Sequence, residues 1–336
     1  MNKKILVSAL AAAGLATAPM MASATDVRIY GHIGMNIAQI NDDSPAAEAD
    51  NRDSRLVAED PARGRVGIRV SEDLGNGLQG VGQFEWMARP HDGTAFEQMR
   101  ETYVGLQGGF GRIALGQFNG AYKQTGGTGW DPFVTTHLEQ RRSTAGGGAY
   151  AHNSFMRNAV EYRTADLGGL RAIAQVQLVG DEDRVDVNEQ AHGSYNLSLS
   201  YSIGGIELIA AHAYSNAADE SNTKFGARWA EGPLAVWATF EQLDIADQAG
   251  GVGGAANAVT GDAVNVGVTY RMGNNELYAH YGMFDADQDG RDVDAITLGV
   301  THRMSRSFRV YGGVKLEDRD VMDDRTIMMV GMRKDF

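Results

Sequence analysis

The chain of 336 residues contains no cysteine, so disulfide bonds contribute nothing to its stability. Proline is scarce, with 6 residues, and after Ala24 no apolar run reaches the ~20 residues that a membrane-spanning helix needs. Positive charge is also in deficit, because 30 basic residues stand against 43 acidic ones. These absences exclude a disulfide-stapled domain and a helical membrane protein. They also disfavour a nucleic-acid-binding protein, which would present a basic surface.

The first 24 residues have the composition of a secretory signal peptide. Positions 3 and 4 are lysines, residues 5–19 form a short apolar stretch, and Ala22-Ser23-Ala24 is an A-x-A cleavage site. We therefore predict that residues 1–24 are cleaved during export. The remaining residues, 25–336, are expected to form one domain.

Beyond the signal, apolar and polar residues alternate with a period of two, as expected for strands with one apolar and one polar face. In one such segment Leu234, Val236, Ala238 and Phe240 alternate with Ala235, Trp237, Thr239 and Glu241. Sixteen segments are predicted, at 27–40, 62–72, 78–88, 100–107, 112–118, 155–164, 170–179, 192–203, 206–214, 221–231, 234–244, 261–272, 275–284, 293–304, 308–317 and 326–336.

The connections between these segments alternate between short and long. Short ones include 108–109, 204–205, 231–233 and 273–274, and long ones include 41–61, 119–154 and 245–260. A secreted β-sandwich would share the alternation within strands, but it has no reason to alternate its loop lengths. The pattern predicts an all-β fold, a 16-stranded antiparallel transmembrane β-barrel with short periplasmic turns and long outer loops.

Such a barrel must be filled with water. Lipid offers no hydrogen-bond partners, so the sheet closes on itself and turns its polar face inward. Sixteen strands enclose a space that side chains cannot fill. Strand parity places seven charged residues on the inner face, and these are predicted to line the pore: Arg65, Arg69, Glu85, Arg157, Glu161, Arg163 and Arg171.

Several short stretches, taken in order behind a signal peptide, resemble the Gram-negative general porin family over essentially the whole mature length. They are Val27-Arg28-Ile29-Tyr30-Gly31, Gly64-Arg65-Val66-Gly67-Ile68, Ser71-Glu72-Asp73-Leu74-Gly75-Asn76-Gly77, Arg100-Glu101-Thr102-Tyr103-Val104-Gly105-Leu106, Phe110-Gly111-Arg112-Ile113-Ala114-Leu115-Gly116-Gln117 and Val330-Gly331-Met332-Arg333-Lys334-Asp335-Phe336. The resemblance implies a passive diffusion channel for small hydrophilic solutes and ions in the outer membrane of a Gram-negative bacterium.

The resemblance also implies partners. It predicts a homotrimer in contact with outer-membrane lipid and lipopolysaccharide, and a chain handled by the barrel assembly machinery. Phe336 is similar to the terminal assembly signal of such barrels. No enzymatic activity, cofactor or metal is predicted, because the eight histidines show no metal-ligand spacing and no Gly-x-Ser-x-Gly motif occurs. Nucleic acid is not expected as a partner.

In this family the loop after the fifth strand folds into the barrel and narrows it, with acidic loop residues opposite arginines on the wall. The corresponding loop here is 119–154, and its acidic candidates are Asp131 and Glu139. Arg65, Arg100 and Arg157 match the wall arginines. Parity agrees for Arg65, which shares a face with Arg69, and for Arg157, which shares a face with Glu161. The loop lacks the Pro-Glu-Phe-Gly-Gly motif of the best-known porins, which leaves the choice of acidic residue open.

Two other functions are compatible with a barrel. A substrate-specific porin, for example for sugars, would carry a track of inward aromatic side chains, for which Trp237 and Tyr30 are the best candidates. An outer-membrane barrel hydrolase would need a Ser–His pair at adjacent strand ends. The sign of the ion selectivity does not follow from the sequence, nor does divalent-cation binding by the acidic outer loops.

Overall fold

We describe the protein from a computed structural model over residues 25–43, 53–59, 64–139, 155–178, 193–216, 220–244, 260–287, 292–320 and 324–336. The predicted signal peptide lies outside these ranges. Across the described ranges, no helix is both long enough and apolar enough to span a membrane.

In the described ranges, seventeen strands form one closed antiparallel sheet. They are β1 (Asp26–Asp42), β2 (Ser54–Glu59), β3 (Arg65–Gly75), β4 (Leu78–Arg89), β5 (Thr94–Gly108), β6 (Gly111–Asn119), β7 (Phe155–Arg163), β8 (Leu170–Gln177), β9 (Tyr195–Ile203), β10 (Ile206–Ser215), β11 (Glu220–Glu231), β12 (Leu234–Asp244), β13 (Gly261–Met272), β14 (Asn275–Ala286), β15 (Val293–Arg303), β16 (Phe308–Arg319) and β17 (Arg325–Asp335). Two short helices, α1 (Ala121–Gln124) and α2 (Gly127–Trp130), follow β6.

The seventeen strands occupy sixteen positions around the barrel. One edge of β1 pairs with β17, which closes the sheet. On the other edge, β3 pairs with residues 26–32 of β1 and β2 pairs with residues 36–41. Because β2 and β3 follow one another along the same edge, they share one position. The predicted sixteen-stranded barrel is thus confirmed, but the prediction of a long loop over 41–61 was wrong at Ser54–Glu59. This six-residue segment is too short for periodicity alone to reveal it.

The short connections lie at the same end of the barrel as the two termini. Gly204 and Gly273 occupy tight turns there with left-handed backbone (φ 58° and 59°), which glycine adopts without steric cost. We call this the short-turn end. The long connection after β6 starts at the opposite end.

The two faces of the sheet are inverted relative to a water-soluble protein. Apolar side chains point outward and are exposed, for example Ile29 (68%) and Val104 (66%). Polar side chains such as Asn265 and Thr297 point inward and are buried. Burying apolar surface stabilises a protein by ~25 cal/mol per Å² in water. An outer face of this kind is therefore suited to lipid, where hydrocarbon replaces water around the apolar belt.

The C-terminus completes the closure of the barrel. The Phe336 amide donates to the Gly31 carbonyl (3.1 Å), and the Gly31 amide donates to the Phe336 carbonyl (3.0 Å). The Phe336 ring covers Gly31 so closely that a Cβ at position 31 would lie 2.7 Å from the ring. The terminal residue is therefore an integral part of the seam between the first and last strands.

Candidate pore constriction

The connection after β6 turns into the barrel and is anchored by its first residues. The Ala121 amide donates to Gln175 Oε1 on β8 (2.8 Å), and the Tyr122 amide donates to Asn196 Oδ1 on β9 (3.2 Å). The Tyr122 hydroxyl donates to Glu241 Oε2 on β12 (2.6 Å). Backbone and side chain of two consecutive residues thus reach three strands of the inner wall, which fixes where the loop enters the lumen.

Charged residues of the barrel wall complete this anchor. Lys224 Nζ donates to the Tyr122 carbonyl (2.8 Å) and lies 4.2 Å from the centre of the Tyr122 ring. Burial, together with the charge of Glu241, raises the pKa of Tyr122 well above its usual range. The hydroxyl therefore remains a proton donor. Further along, Trp130 Nε1 donates to Glu207 Oε2 on β10 (2.9 Å).

The far part of the loop docks on inward-facing glycines of the opposite wall. The Phe133 ring packs against Tyr278 on β14 (centroids 5.3 Å apart) and Tyr311 on β16 (6.2 Å). A Cβ at Gly299 would lie 2.5 Å from the Phe133 ring. The loop therefore crosses the lumen, and its apolar tip is seated where the wall has no side chain.

The two acidic loop residues are buried rather than exposed to the lumen. Asp131 is 4% exposed and Glu139 is 1% exposed. The Asp131 Oδ1 atom accepts a hydrogen bond from the Phe133 amide (2.8 Å), which shapes the turn before the tip. Asp131 and Glu139 therefore belong to the packed part of the loop, and their place opposite the wall arginines stays a prediction.

The wall facing the loop entry carries a cluster of arginines, beginning with Arg65 and Arg100 around Glu85. Arg100 Nε lies 2.7 Å from Glu85 Oε1, and Arg65 Nη1 lies 3.6 Å from the same oxygen. A bulge between β4 and β5 places Glu85 opposite both Arg100 and Glu101. This bulge explains why the alternation around Arg100 is irregular.

A second cluster lies on β6 and β7 around Glu161. Arg112 Nη2 and Arg163 Nε lie 2.5 Å and 2.6 Å from Glu161 Oε1, and the Glu161 side chain is fully buried. Arg112 also donates to the Tyr103 hydroxyl (2.7 Å). Arg163 Nη2 donates to Gln124 Oε1 of α1 (2.8 Å), which links this cluster to the inserted loop.

Arg69 joins the two clusters. Its Nε donates to Gln83 Oε1 (2.9 Å), and its guanidinium lies 4.1 Å from the centre of the Tyr30 ring. Glu101 is half-buried, and its Oε2 accepts from Gln83 Nε2 (3.3 Å). We define the basic wall by the eight charged residues of these clusters: Arg65, Arg69, Arg100, Arg112, Arg163, Glu85, Glu101 and Glu161.

The basic wall borders an open space in the barrel of about 620 Å³. Its lining includes the wall residues Arg69, Glu101, Arg112 and Arg163, and Gln124 from the loop. Strand parity would have found Arg112, which precedes outward Ile113 and Leu115. Strand parity did not identify Glu101 as an inward residue, because the bulge in β5 interrupts the alternation there.

Arg157 does not lie where parity predicted. Gly116 pairs with Ala159 and Phe118 pairs with Met156, so a bulge leaves Arg157 and Asn158 both opposite a single residue. Asn158 has left-handed backbone (φ 46°) at this point. Both Met156 and Ala159 are buried on the inner face. Arg157 therefore does not share the face of Glu161, and its predicted position was wrong because the bulge shifts the register by one residue.

Arg171, also predicted to line the pore, lies at the rim of the short-turn end. Its Nη2 atom forms an exposed ion pair with Asp166 Oδ2 (2.7 Å). Trp237 is 2% exposed, because it packs under the loop against Tyr278 with ring centroids 6.0 Å apart. It therefore offers no exposed ring to a passing sugar.

Comparison with known proteins places these features in a family. The sequence model of the Gram-negative porin family matches residues 8–321. Outer membrane porin protein 32 of Delftia acidovorans is 28% identical, over 94% of this chain and 89% of its own length. The major outer membrane protein P.IB of Neisseria meningitidis serogroup B / serotype 15 (strain H44/76) is 24% identical, over 88% of this chain and 89% of its own length.

Solved structures share the fold. An anion-selective porin from Comamonas acidovorans has a TM-score of 0.75 at 21% identity, covering 93% of this chain and 100% of that one. The trimer form of OmpT, an outer membrane protein of Vibrio cholerae, has a TM-score of 0.66 at 17% identity, covering 93% and 100%.

Proposed function

The chain belongs to the Gram-negative porin family, and from this premise we propose that its basic wall makes it an anion-preferring channel. The protein is a passive diffusion channel for small hydrophilic solutes across the bacterial outer membrane. The proposal concerns which ions pass most easily and which side chains decide this. We assign it no enzymatic activity.

One observation carries the proposal: the excess of arginine on the wall that faces the inserted loop. Five guanidinium groups stand against three carboxylates there, which leaves two positive charges. The acidic loop residues Asp131 and Glu139 lie outside this wall, since both act electrostatically on Tyr278 of β14. Fixed charges act strongly on ions in a narrow passage, where little water and salt screen them. A protein of similar structure is described as an anion-selective porin, which supports a preference for anions here.

We propose Arg65, Arg69 and Arg100 as the cationic side of the constriction. Arg65 and Arg100 share Glu85, whereas Arg69 is exposed and is held by Gln83 and Tyr30 without a carboxylate partner among the residues described. Glu101 supplies the acidic group nearest to them. Of the alternatives, a sugar-specific porin is not favoured, because Trp237 is covered by the loop.

We further propose a homotrimer with the short-turn end in the periplasm and the acidic outer loops beside lipopolysaccharide. A neighbouring structure of the same fold is described as a trimer form, which supports this arrangement. We also propose that the barrel assembly machinery recognises the C-terminal strand. Residues 1–24 remain proposed as a cleaved signal peptide.

Replacing Arg69 by glutamine should shift the channel toward cations. Two unit charges 4 Å apart interact by ~1 kcal/mol in water, so losing one wall charge should lower the chloride-to-potassium permeability ratio by up to about fivefold. The measurement is the reversal potential of single channels in a potassium chloride gradient. Conductance steps that occur in groups of three in the same recordings would support the trimer.

Arg271→Gln is the matched control for this experiment. Arg271 is on the inner side at the short-turn mouth, is 63% exposed and is ion-paired with Glu276 (Nε–Oε2 2.6 Å). The charge change is the same, but water and salt screen the charge of this exposed side chain. If Arg271→Gln moves the reversal potential as far as Arg69→Gln does, the basic wall does not set the selectivity.

Deleting Phe336 should reduce assembly into the outer membrane by about tenfold or more. The deletion removes two backbone hydrogen bonds to Gly31 and leaves an unpaired edge at the seam, where lipid offers no replacement partner. The readout is the folded fraction in outer-membrane preparations, compared with a Phe336→Tyr variant that keeps the ring and the backbone. Normal membrane levels of the deletion variant would refute the proposed role.

A further inference from the structure

Three arginines lie side by side on the inner face at the short-turn end. Arg303 pairs directly with Arg309 across β15 and β16, and Arg309 pairs directly with Arg333 across β16 and β17. Thr301 and Tyr311, two positions away along their strands, are buried on the inner face. Because every second residue of a strand points to the same side, the arginines share that face. We call Arg303, Arg309 and Arg333 the arginine shelf.

The shelf is poorly neutralised. Like charges directly opposite one another on one face of a sheet destabilise the pairing. Asp335 contacts Arg333 (Nη2–Oδ1 2.6 Å), and it is the one carboxylate in an ion pair with the shelf among the residues that the structure covers. Arg309 is flanked on both sides by a guanidinium that acts on it electrostatically. Such a row weakens the barrel on its own, and a bound anion would relieve the repulsion.

The spacing of the shelf suits an anion with several oxygens. Neighbouring strands are about 4.8 Å apart, so the guanidinium groups of adjacent strands can both reach one small anion. Arginine donates in pairs to phosphate and carboxylate oxygens, and these charge-assisted bonds are stronger than neutral ones. Arg303 is exposed, and Arg309 and Arg333 are half-buried, so the groups remain open to solutes.

We propose that the arginine shelf is a binding site for multivalent oxyanions such as inorganic phosphate at the short-turn mouth of the channel. The shelf is distinct from the basic wall but continuous with it, because Arg333 acts electrostatically on Arg65. A multivalent anion that occupies the shelf hinders the passage of chloride, so the site acts as a point of selective retention and block. The proposal goes beyond anion preference, because it predicts binding rather than a bias in ion flow.

The test is block of the chloride current by inorganic phosphate in planar bilayers, with phosphate added to each side in turn. In the unmodified channel, phosphate should reduce the chloride current. The reduction should be stronger when phosphate is added on the side that the short-turn end faces. In Arg309→Gln, losing one charge-assisted contact should raise the half-blocking phosphate concentration by about tenfold. Arg271→Gln, which removes a paired arginine at the same mouth, should leave it unchanged.

Two outcomes would overturn the proposal that the arginine shelf binds oxyanions. One is an absence of phosphate block in the unmodified channel, and another is an equal shift in Arg309→Gln and Arg271→Gln. If Arg309→Gln does not fold, Arg303→Gln serves instead, because Arg303 is exposed at a strand end and should be tolerated. The reversal potential in potassium chloride separates the two proposals. A cation-preferring channel that still shows Arg309-dependent phosphate block would refute the proposed anion preference but support oxyanion binding at the arginine shelf.

Discussion

Replacing Gly299 by alanine is expected to expel the tip of the inserted loop and raise the single-channel conductance. The new Cβ would lie 2.5 Å from the Phe133 ring and 3.2 Å from the Gly312 carbonyl, and Phe133 is almost fully buried. The strand backbone cannot retreat, since it is paired on both edges. The ring must therefore leave its seat. Losing the packing of a buried phenylalanine costs ~3–5 kcal/mol, which is large for the docking of one loop.

The conductance should rise by about twofold or more if the tip leaves the lumen, because a porin's current is limited by its narrowest section. The matched control is Gly80→Ala, whose Cβ would meet only Leu74 at an ordinary distance of 3.7 Å. Phe133→Ala should loosen the tip by a second route. If conductance and protease sensitivity of the loop stay unchanged in Gly299→Ala, the seating of Phe133 does not hold the loop in place.

Replacing Glu161 by glutamine should both destabilise the barrel and strengthen its preference for anions. Glu161 is fully buried and lies within 2.6 Å of Arg112 and Arg163, and it also accepts from Gln175 Nε2 (2.7 Å). Removing one partner of a buried charge group costs ~3–5 kcal/mol, because the remaining charges keep their desolvation penalty. The lost carboxylate also adds one net positive charge to the basic wall.

The two effects are measured separately, as the denaturation temperature in mild detergent and as the reversal potential in a potassium chloride gradient. Asp166→Asn is the control, since Asp166 forms an exposed ion pair with Arg171 at the rim of the short-turn end. An exposed pair contributes little to stability, so this variant should unfold close to the unmodified temperature. Equal destabilisation of the two variants would show that the Glu161 cluster is not a stabilising centre.

The strand pattern predicted part of the basic wall. Arg65, Arg69 and Glu85 lie on the inner face as parity requires, since β3 pairs regularly with β1 and with β4 around these residues. Parity failed for Arg157, where one inserted residue reverses the faces. A bulge has no reliable signature in a single sequence, because it depends on how two strands that are distant in the chain come to pair.

The inserted loop shows a different limit of sequence reasoning. Its entry into the lumen was expected from the family, with its acidic residues opposite the arginines of the wall. In the structure both acidic residues are buried, and the loop tip at Phe133 lies in a seat formed by strands from β14 to β16, far along the chain. Neither the composition of the loop nor its length indicates which of its side chains will contact that wall.

The sequence by itself determined that this protein is a closed sheet with an apolar outside and a charged, hydrated inside. That follows because period-two alternation and strand length are local properties, and lipid permits only closed sheets. Only the tertiary structure decided which charges meet. The bulge at Arg100, the glycine seat of Phe133 and the in-register row at Arg309 all arise from the pairing of strands. The register between two strands is set by the whole barrel rather than by either strand alone.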